Sequence, residues 1–332
     1  MTRGKFIFIL IFYLLGGIIN LFAQDIHFSQ FNSSPLTLNP AMSGLFDGDY
    51  RFILNYRNQW SSVTTPYRTA SASADGRFIQ KKDAKDVFGV GLLFFNDKAG
   101  DSEYGTTEVQ LSVAYFRSLS KNNSNYISIG VQPGFAQRTI NYTNLKFDNQ
   151  YDGAVFSPNL PNNEHFDYNK INYFDIGLGI NWYYKPNKKY NINTGVSIAH
   201  INQPNQSFVN NSDIILDPKL TVYAQSELLI KGEFYGLPSL MYLHQGTLQE
   251  LTFGGFLKYI IDPETYSYTA LYGGLFYRNK DATFITVGLD YKKFYAGLSY
   301  DFNISTLKPA SNLKGGFELS LIYKIGKTKY SY

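Results

Sequence analysis

Hydrophobic and polar residues alternate with a two-residue period through much of this chain. Between positions 51 and 57, Phe52, Leu54 and Tyr56 share one face while Arg51, Asn55 and Arg57 share the other, the pattern of a half-buried strand. Val109, Leu111, Val113 and Tyr115 alternate in the same way with Glu108, Gln110 and Ser112. So do Ile127, Ile129 and Val131 with Ser128, Gly130 and Gln132, and Ile192, Thr194, Val196 and Ile198 with Asn191, Asn193, Gly195 and Ser197. A soluble sandwich carries charged outer faces, whereas small polar faces opposite aliphatic and aromatic ones suit a lumen opposite lipid. Tyr56, Tyr115, Tyr183 and Tyr291, near strand ends, fall where interfacial aromatic girdles are expected.

The pattern predicts an all-β fold, a transmembrane antiparallel β-barrel of about 14 strands. They fall at 50–57, 66–78, 86–97, 103–118, 125–138, 170–185, 189–201, 218–231, 234–245, 249–261, 267–278, 281–291, 294–303 and 314–326, an even number as in single-chain outer-membrane barrels. Pro133 removes a ladder hydrogen bond, so a bulge or an early end is expected in 125–138. Connections after even-numbered strands are about seven residues or fewer, whereas the three longest, 139–169, 202–217 and 304–313, follow odd-numbered strands. Long loops therefore gather on one side, which is extracellular if both chain ends are periplasmic.

The start of the chain bears on the compartment. Arg3 and Lys5 precede an unbroken apolar stretch from Phe6 to Leu15, and Leu21-Phe22-Ala23-Gln24 stands just before the polar Asp25. Residues 1–24 read as a secretory signal peptide; an N-terminal membrane anchor is the competing reading, since Phe6 to Phe22 approaches a spanning length. The longest later apolar run, Val87 to Phe95, is nine residues, about half a helical span. The expected layout is a signal peptide at 1–24, an N-terminal segment at 25–48 and a barrel at 49–332.

Composition agrees. The 332 residues are 44% hydrophobic, 17% aromatic and only 17% charged, with 28 Tyr, 27 Phe and no Cys. Disorder and a disulfide scaffold are excluded, and without cysteine there is no lipoprotein anchor. A net charge of +4, or +2 once Arg3 and Lys5 are removed, is too weak and scattered for a nucleic-acid footprint.

Candidate chemistry is sparse. His27, His165, His200 and His244 are far apart, and none pairs at a metal-ligand spacing. Gly326-Lys327-Thr328 lacks the earlier glycine of a phosphate loop, that position being Leu321, and Gly89-Val90-Gly91 and Gly177-Leu178-Gly179 lack the third glycine of a dinucleotide fingerprint. Glycine on a strand more simply marks tight packing or a bend. Asp148, Gln150, Asp152 and Gly153 occupy calcium-loop positions, but Asn159 replaces the closing Glu, so a turn in an external loop is the simpler expectation. No Gly-x-Ser-x-Gly elbow occurs. The expectation is a non-enzymatic protein with no catalytic residue, cofactor or metal.

The residues do resemble a known family. Phe28-Ser29-Gln30-Phe31, then Pro35, Leu38-Asn39-Pro40-Ala41 and Gly44, then Asn55-Tyr56-Arg57-Asn58-Gln59-Trp60, closely resemble the opening of the PorP/SprF membrane proteins of Bacteroidetes. The likeness continues through Gly134-Phe135, Gln137-Arg138, Phe147-Asp148, Gln150-Tyr151-Asp152-Gly153, Tyr173-Phe174-Asp175, Trp182, Gly195, His200 and Pro204. It closes with Asp281-Ala282, Gly297-Leu298-Ser299-Tyr300-Asp301 and Gly315-Gly316-Phe317-Glu318-Leu319-Ser320. Ile26 departs from the proline that family members often carry.

The resemblance implies an outer-membrane barrel, reached by Sec-type export, that works with type IX secretion and gliding. Its partners would be type IX components, including periplasmic ones, outer-membrane lipid, and a secreted adhesin-like surface protein bound by the external loops. The motif residues Phe28, Ser29, Gln30, Phe31, Asn39, Pro40, Tyr56, Arg57, Asn58, Gln59, Trp60, Asp152, Gly153, Ser299, Tyr300 and Asp301 would serve structure or partner contact. Residues 25–48 mix Phe28, Phe31 and Phe46 with turn formers. Two arrangements suit them: a partial plug in the periplasmic mouth or lumen, supported by Arg57 and Trp60, or a periplasmic lead-in strand. A passive porin and a barrel enzyme are the competing functions.

Overall fold

A computed structural model describes residues 25–61, 65–78, 85–164, 167–209, 211, 213–264, 267–305 and 313–326; the expected signal peptide, His165 and Lys327-Thr328 lie outside them. Fourteen strands are present: β1 (Tyr50–Gln59), β2 (Tyr67–Phe78), β3 (Asp86–Ala99), β4 (Tyr104–Ser118), β5 (Asn125–Thr139), β6 (Lys170–Asn187), β7 (Tyr190–Ala199), β8 (Lys219–Lys231), β9 (Phe234–Gln245), β10 (Leu248–Asp262), β11 (Thr269–Arg278), β12 (Ala282–Tyr291), β13 (Phe294–Asn303) and β14 (Lys314–Ile325). Each bound lies within two residues of the sequence expectation. Every strand pairs antiparallel with its chain neighbours, and β1 closes the barrel on β14, from Tyr50 opposite Ile325 to Gln59 opposite Gly316.

Parity explains the register. On β1, Phe52, Leu54 and Tyr56 are 45%, 55% and 38% exposed on the outer wall, while Arg51, Asn55 and Arg57 point inward at 8%, 4% and 4%. A one-residue slip would turn these arginines to lipid, so the pattern enforces the pairing. β7 ends at Ala199 because His200 takes a left-handed φ of 58°, and β1 ends where Trp60 takes 59°. The long connections, 140–169, 200–218 and 304–313, leave from one rim of the barrel, and the turns after β6, β8 and β12 from the other.

Two expectations need correction. Pro133 neither bulges nor ends its strand: β5 runs to Thr139, and its pairing with β4 skips Leu111 and Ser112 and then resumes in the same register. The missing proline N–H costs a local gap, across which Gln132 Nε2 donates to Ser112 Oγ at 2.7 Å. Tyr183 is not a girdle residue. It shares the inward face with the buried Asn181 and lines a cavity inside the barrel, while its neighbour Trp182 points outward.

Inside the wall, residues 25–49 form three short helical turns, at Phe31–Ser33, Pro35–Leu38 and Pro40–Met42. Proline suits the first position of a helical turn because its missing N–H would be unpaired there anyway. Asn39 then caps the third turn, accepting from Ala41 N at 2.8 Å. Phe31, Leu38 and Met42 pack against Tyr223, Met241, Phe256, Phe276 and Phe284, which occupy inward positions of β8 to β12. The inner face is thus aromatic on one side, which the polar-lumen expectation did not include.

Candidate functional site

Helical turns this short leave most of their backbone groups unpaired. The barrel wall supplies partners. Gln132 Nε2 donates to Leu36 O (3.2 Å), Ser197 Oγ to Leu38 O (2.6 Å) and Ser128 Oγ to Ala41 O (2.9 Å). Asn39 Nδ2 donates to Ile180 O (3.0 Å) and Tyr223 OH (3.2 Å). Here the segment lies flat on the wall at Gly130 and Gly179, which face each other across β5 and β6. A Cβ on Gly130 would overlap the Pro40–Ala41 backbone, and one on Gly179 would overlap the Asn39 side chain. Gly177-Leu178-Gly179 therefore has a packing role at Gly179.

The segment crosses the whole lumen. At one extreme Gly44 N donates to Asp75 Oδ2 (2.7 Å), whose carboxylate also receives Arg51 in a bidentate pair at 2.9 and 2.8 Å. Arg51 lies 4.5 Å from the Phe46 ring centre. At the other extreme Asp25 sits at the rim of the long connections, where its carboxylate meets Lys219 and lies 3.2 Å from His200 Nε2, and its N–H donates to Gln245 (3.1 Å). His200 Nδ1 lies 2.9 Å from Asp175. Burial opposes the imidazolium, but hydrogen bonds to Asp175 and Asp25 outweigh it and push His200 up to about 9. Lys219 and His200 likewise overcome the burial of Asp25 and hold its carboxyl well below the usual range.

Just inside this rim lies a second charge cluster, where the wall carboxylates grip backbone. Glu318 accepts from both Ser29 N and Gln30 N, each at 2.8 Å. Asp301 Oδ2 accepts from Ser29 Oγ (2.8 Å) and from Arg278 Nη1 (3.2 Å) and Arg57 Nη2 (3.3 Å). Arg278 donates to Ser29 Oγ at 2.7 Å, and Arg57 to His27 O at 2.5 Å. Glu250 completes the group, 3.4 Å from both His27 Nε2 and Arg278 Nε. Burial, aided by Arg57 and Arg278, outweighs Glu250 and lowers His27 to about 4, so it is neutral at pH 7. Carboxylates that accept N–H groups and guanidinium together form charge-assisted bonds with fixed geometry.

Of the motif residues, the fold brings together Ser29, Gln30, Arg57, Ser299 and Asp301, with Gln30 Nε2 donating to Ser299 Oγ at 3.4 Å. Phe28, Phe31, Asn39 and Pro40 are buried in the same segment. Tyr56 and Tyr300 face outward, Asn58 and Gln59 are half-buried at the end of β1, and Trp60 packs edge-on against Tyr67 at the rim. Asp152 and Gly153 are exposed in the 140–169 connection, far along the chain from any residue of the clusters. There Asp152 Oδ1 closes a turn by accepting from Ala154 N and Val155 N, and Gly153 has a φ of 98°. Among the described residues no three His, Cys, Asp or Glu side chains gather to hold a metal.

Sequence reasoning passed over Arg278, Glu250 and Lys219, named Asp175 only within the family likeness, and treated His27 and His200 as isolated. A signal was available. Lipid excludes charge from outward positions, so a charged residue on a strand at inward parity marks a lumenal network.

The family model described as type IX secretion system membrane protein PorP/SprF matches residues 20–323. No curated protein matches. Among solved structures, the toluene transporter TbuX of Ralstonia pickettii is similar at a TM-score of 0.52 and 11% identity, over 88% of this chain and 92% of that one. A Pseudomonas aeruginosa FadL homologue gives 0.51 and 9%, over 88% and 94%. At these identities the likeness speaks for the barrel fold alone. Family and fold together make this an outer-membrane protein.

Proposed function

Because this chain belongs to the PorP/SprF family of type IX secretion system membrane proteins, we propose that it is an accessory of protein export that anchors a secreted, adhesin-like protein at the cell surface and thereby supports gliding. Its binding surface is the rim from which the connections 140–169, 200–218 and 304–313 leave, all on one side of the membrane. The observation that carries this reading is the lumen itself. It is crossed from Asp25 to Gly48 by a segment bonded to strands all around the wall. A barrel closed in this way holds and presents partners instead of passing solutes, which weighs against the passive porin. Type IX components bind at the opposite rim.

The surface proteome of cells with and without this protein tests the reading. Loss of one large surface protein is the expected result; an unchanged surface proteome would refute the role. Planar-bilayer recording separates the porin, which alone would give steady open conductance from the purified protein.

A further inference from the structure

Opposite the long connections, the wall and the crossing segment leave a cavity of about 320 Å³ between them. Its size lies at the lower end of the roughly 300–1,000 Å³ of small-molecule sites. Phe46 from the segment and Phe116, Tyr126 and Tyr183 from the wall give it flat apolar sides. Between the rings stand Asn32, Asn123 and Asn193. Each has an amide oxygen with no hydrogen-bond partner, and Asn193 is only 9% exposed. Buried amides without partners are rare because leaving them so is costly.

Most of the charges lining the cavity are already engaged, and Arg77 and Lys324 also line it. Arg51 pairs with Asp75, Lys185 with Asp47 at 3.3 Å, and Glu227 with Lys258 at 2.8 Å. A hydrocarbon would leave the three amides unsatisfied. What matches rings alternating with amides is a ligand with one flat apolar face and an edge of groups that both donate and accept.

We propose that this cavity binds a saccharide, one or two pyranose rings, with a ring face stacked on Tyr183 and the hydroxyl or acetamido groups bonded to Asn32, Asn123 and Asn193. A ligand there touches Gly44, Leu45, Phe46 and Asp47 of the crossing segment as well as the wall. Its occupancy therefore reaches the segment directly. The proposal does not rest on the secretion role.

Titration calorimetry of the purified full-length barrel in detergent, with glucose, N-acetylglucosamine and diacetylchitobiose as probes, tests it. The expected result is saturable binding of at least one sugar, weakened about tenfold or more by Asn193→Ala and by Tyr183→Ala, a factor that one lost hydrogen bond or stacking contact supplies. Leu298→Ala, on the outer wall, should leave the affinity unchanged. Thermal melting of each variant confirms that it is folded, and Asn193→Ser keeps the fold if Asn193→Ala does not. No saturable binding of any of the three sugars by the folded wild-type protein overturns the proposal. Binding that survives both cavity substitutions does so too, as does saturable binding of trialanine or toluene in place of the sugars.

Discussion

The crossing segment is held by two regions of opposite chemistry. Near the rim of the long connections its backbone is gripped by Glu318, Asp301, Arg57 and Arg278. Deeper in, Phe31, Leu38 and Met42 lie in an aromatic bed of Phe256, Phe276 and Phe284, where Phe276 and Phe284 stack at 5.0 Å. The aromatic bed is non-directional and tolerates sliding. The charge cluster fixes position, because each buried charge is satisfied only when Ser29 and Gln30 stand where they do. One region supplies adhesion and the other supplies register. Only the charged one responds to pH.

The largest effect should come from the charge cluster. Arg278→Ala leaves Glu250 without a buried guanidinium partner and Asp301 with Arg57 alone, and removing one partner of such a network costs about 3–5 kcal/mol. We expect a loss of that size in denaturant unfolding, together with new open-channel events in planar bilayers. If stability falls but the channel stays silent, the cluster supports the wall without positioning the segment.

Phe276→Ala should cost about 3 kcal/mol by opening a cavity in the aromatic bed. Its conductance should remain near that of wild type, since the charged contacts still hold register. Equal gating defects in the two variants would erase the distinction between the regions.

Gly130→Val probes the middle, where the added side chain collides with the Pro40–Ala41 backbone. Overpacking of this kind costs about 1–3 kcal/mol, and protease accessibility of residues 25–48 should rise. Unchanged protection would mean that the segment does not lie on the wall there.

The pH response is smaller and has two limbs. His200 binds its proton more tightly folded, at about 9, than unfolded, at 6.5, so its contribution is full below 6.5 and is lost as pH rises through 9. His27 shows the reverse, about 4 folded against 6.5 unfolded; its contribution is present above 6.5 and is lost as pH falls toward 4. A melting profile from pH 4 to 10 should fall at both ends, with His200→Gln flattening the alkaline limb and His27→Gln the acid one. The smallest effect belongs to Asp152→Ala, which alters an exposed turn whose carboxylate bonds only to Ala154 and Val155 and should leave the melting temperature where it was.

Much of the fold was legible in the sequence because strand parity is a local property. Phe52, Leu54 and Tyr56 against Arg51, Asn55 and Arg57 declare their faces without reference to the rest of the chain. Parity misplaced Tyr183 because an aromatic ring suits an interface and a lumenal cavity equally. The missing proline N–H misled at Pro133 because the neighbouring strand tolerates a two-residue gap without losing register. Of the site, the resemblance singled out Ser29, Gln30, Arg57 and Asp301, yet did not say that they meet. Arg278 and Glu250 went unnoticed as single charges on otherwise ordinary strands.

The sequence by itself determined the number of strands, the face that alternating segments such as 51–57 take and the rim from which the long connections leave, since all three follow from a two-residue period and the cost of charge in lipid. Only the tertiary structure decided which inward groups meet. Ser29 and Glu318 are 289 positions apart, and nothing local couples them. Closure of β1 on β14 brings Arg57 opposite Glu318, and a buried charge then becomes tolerable because its partner arrives from the far end of the chain.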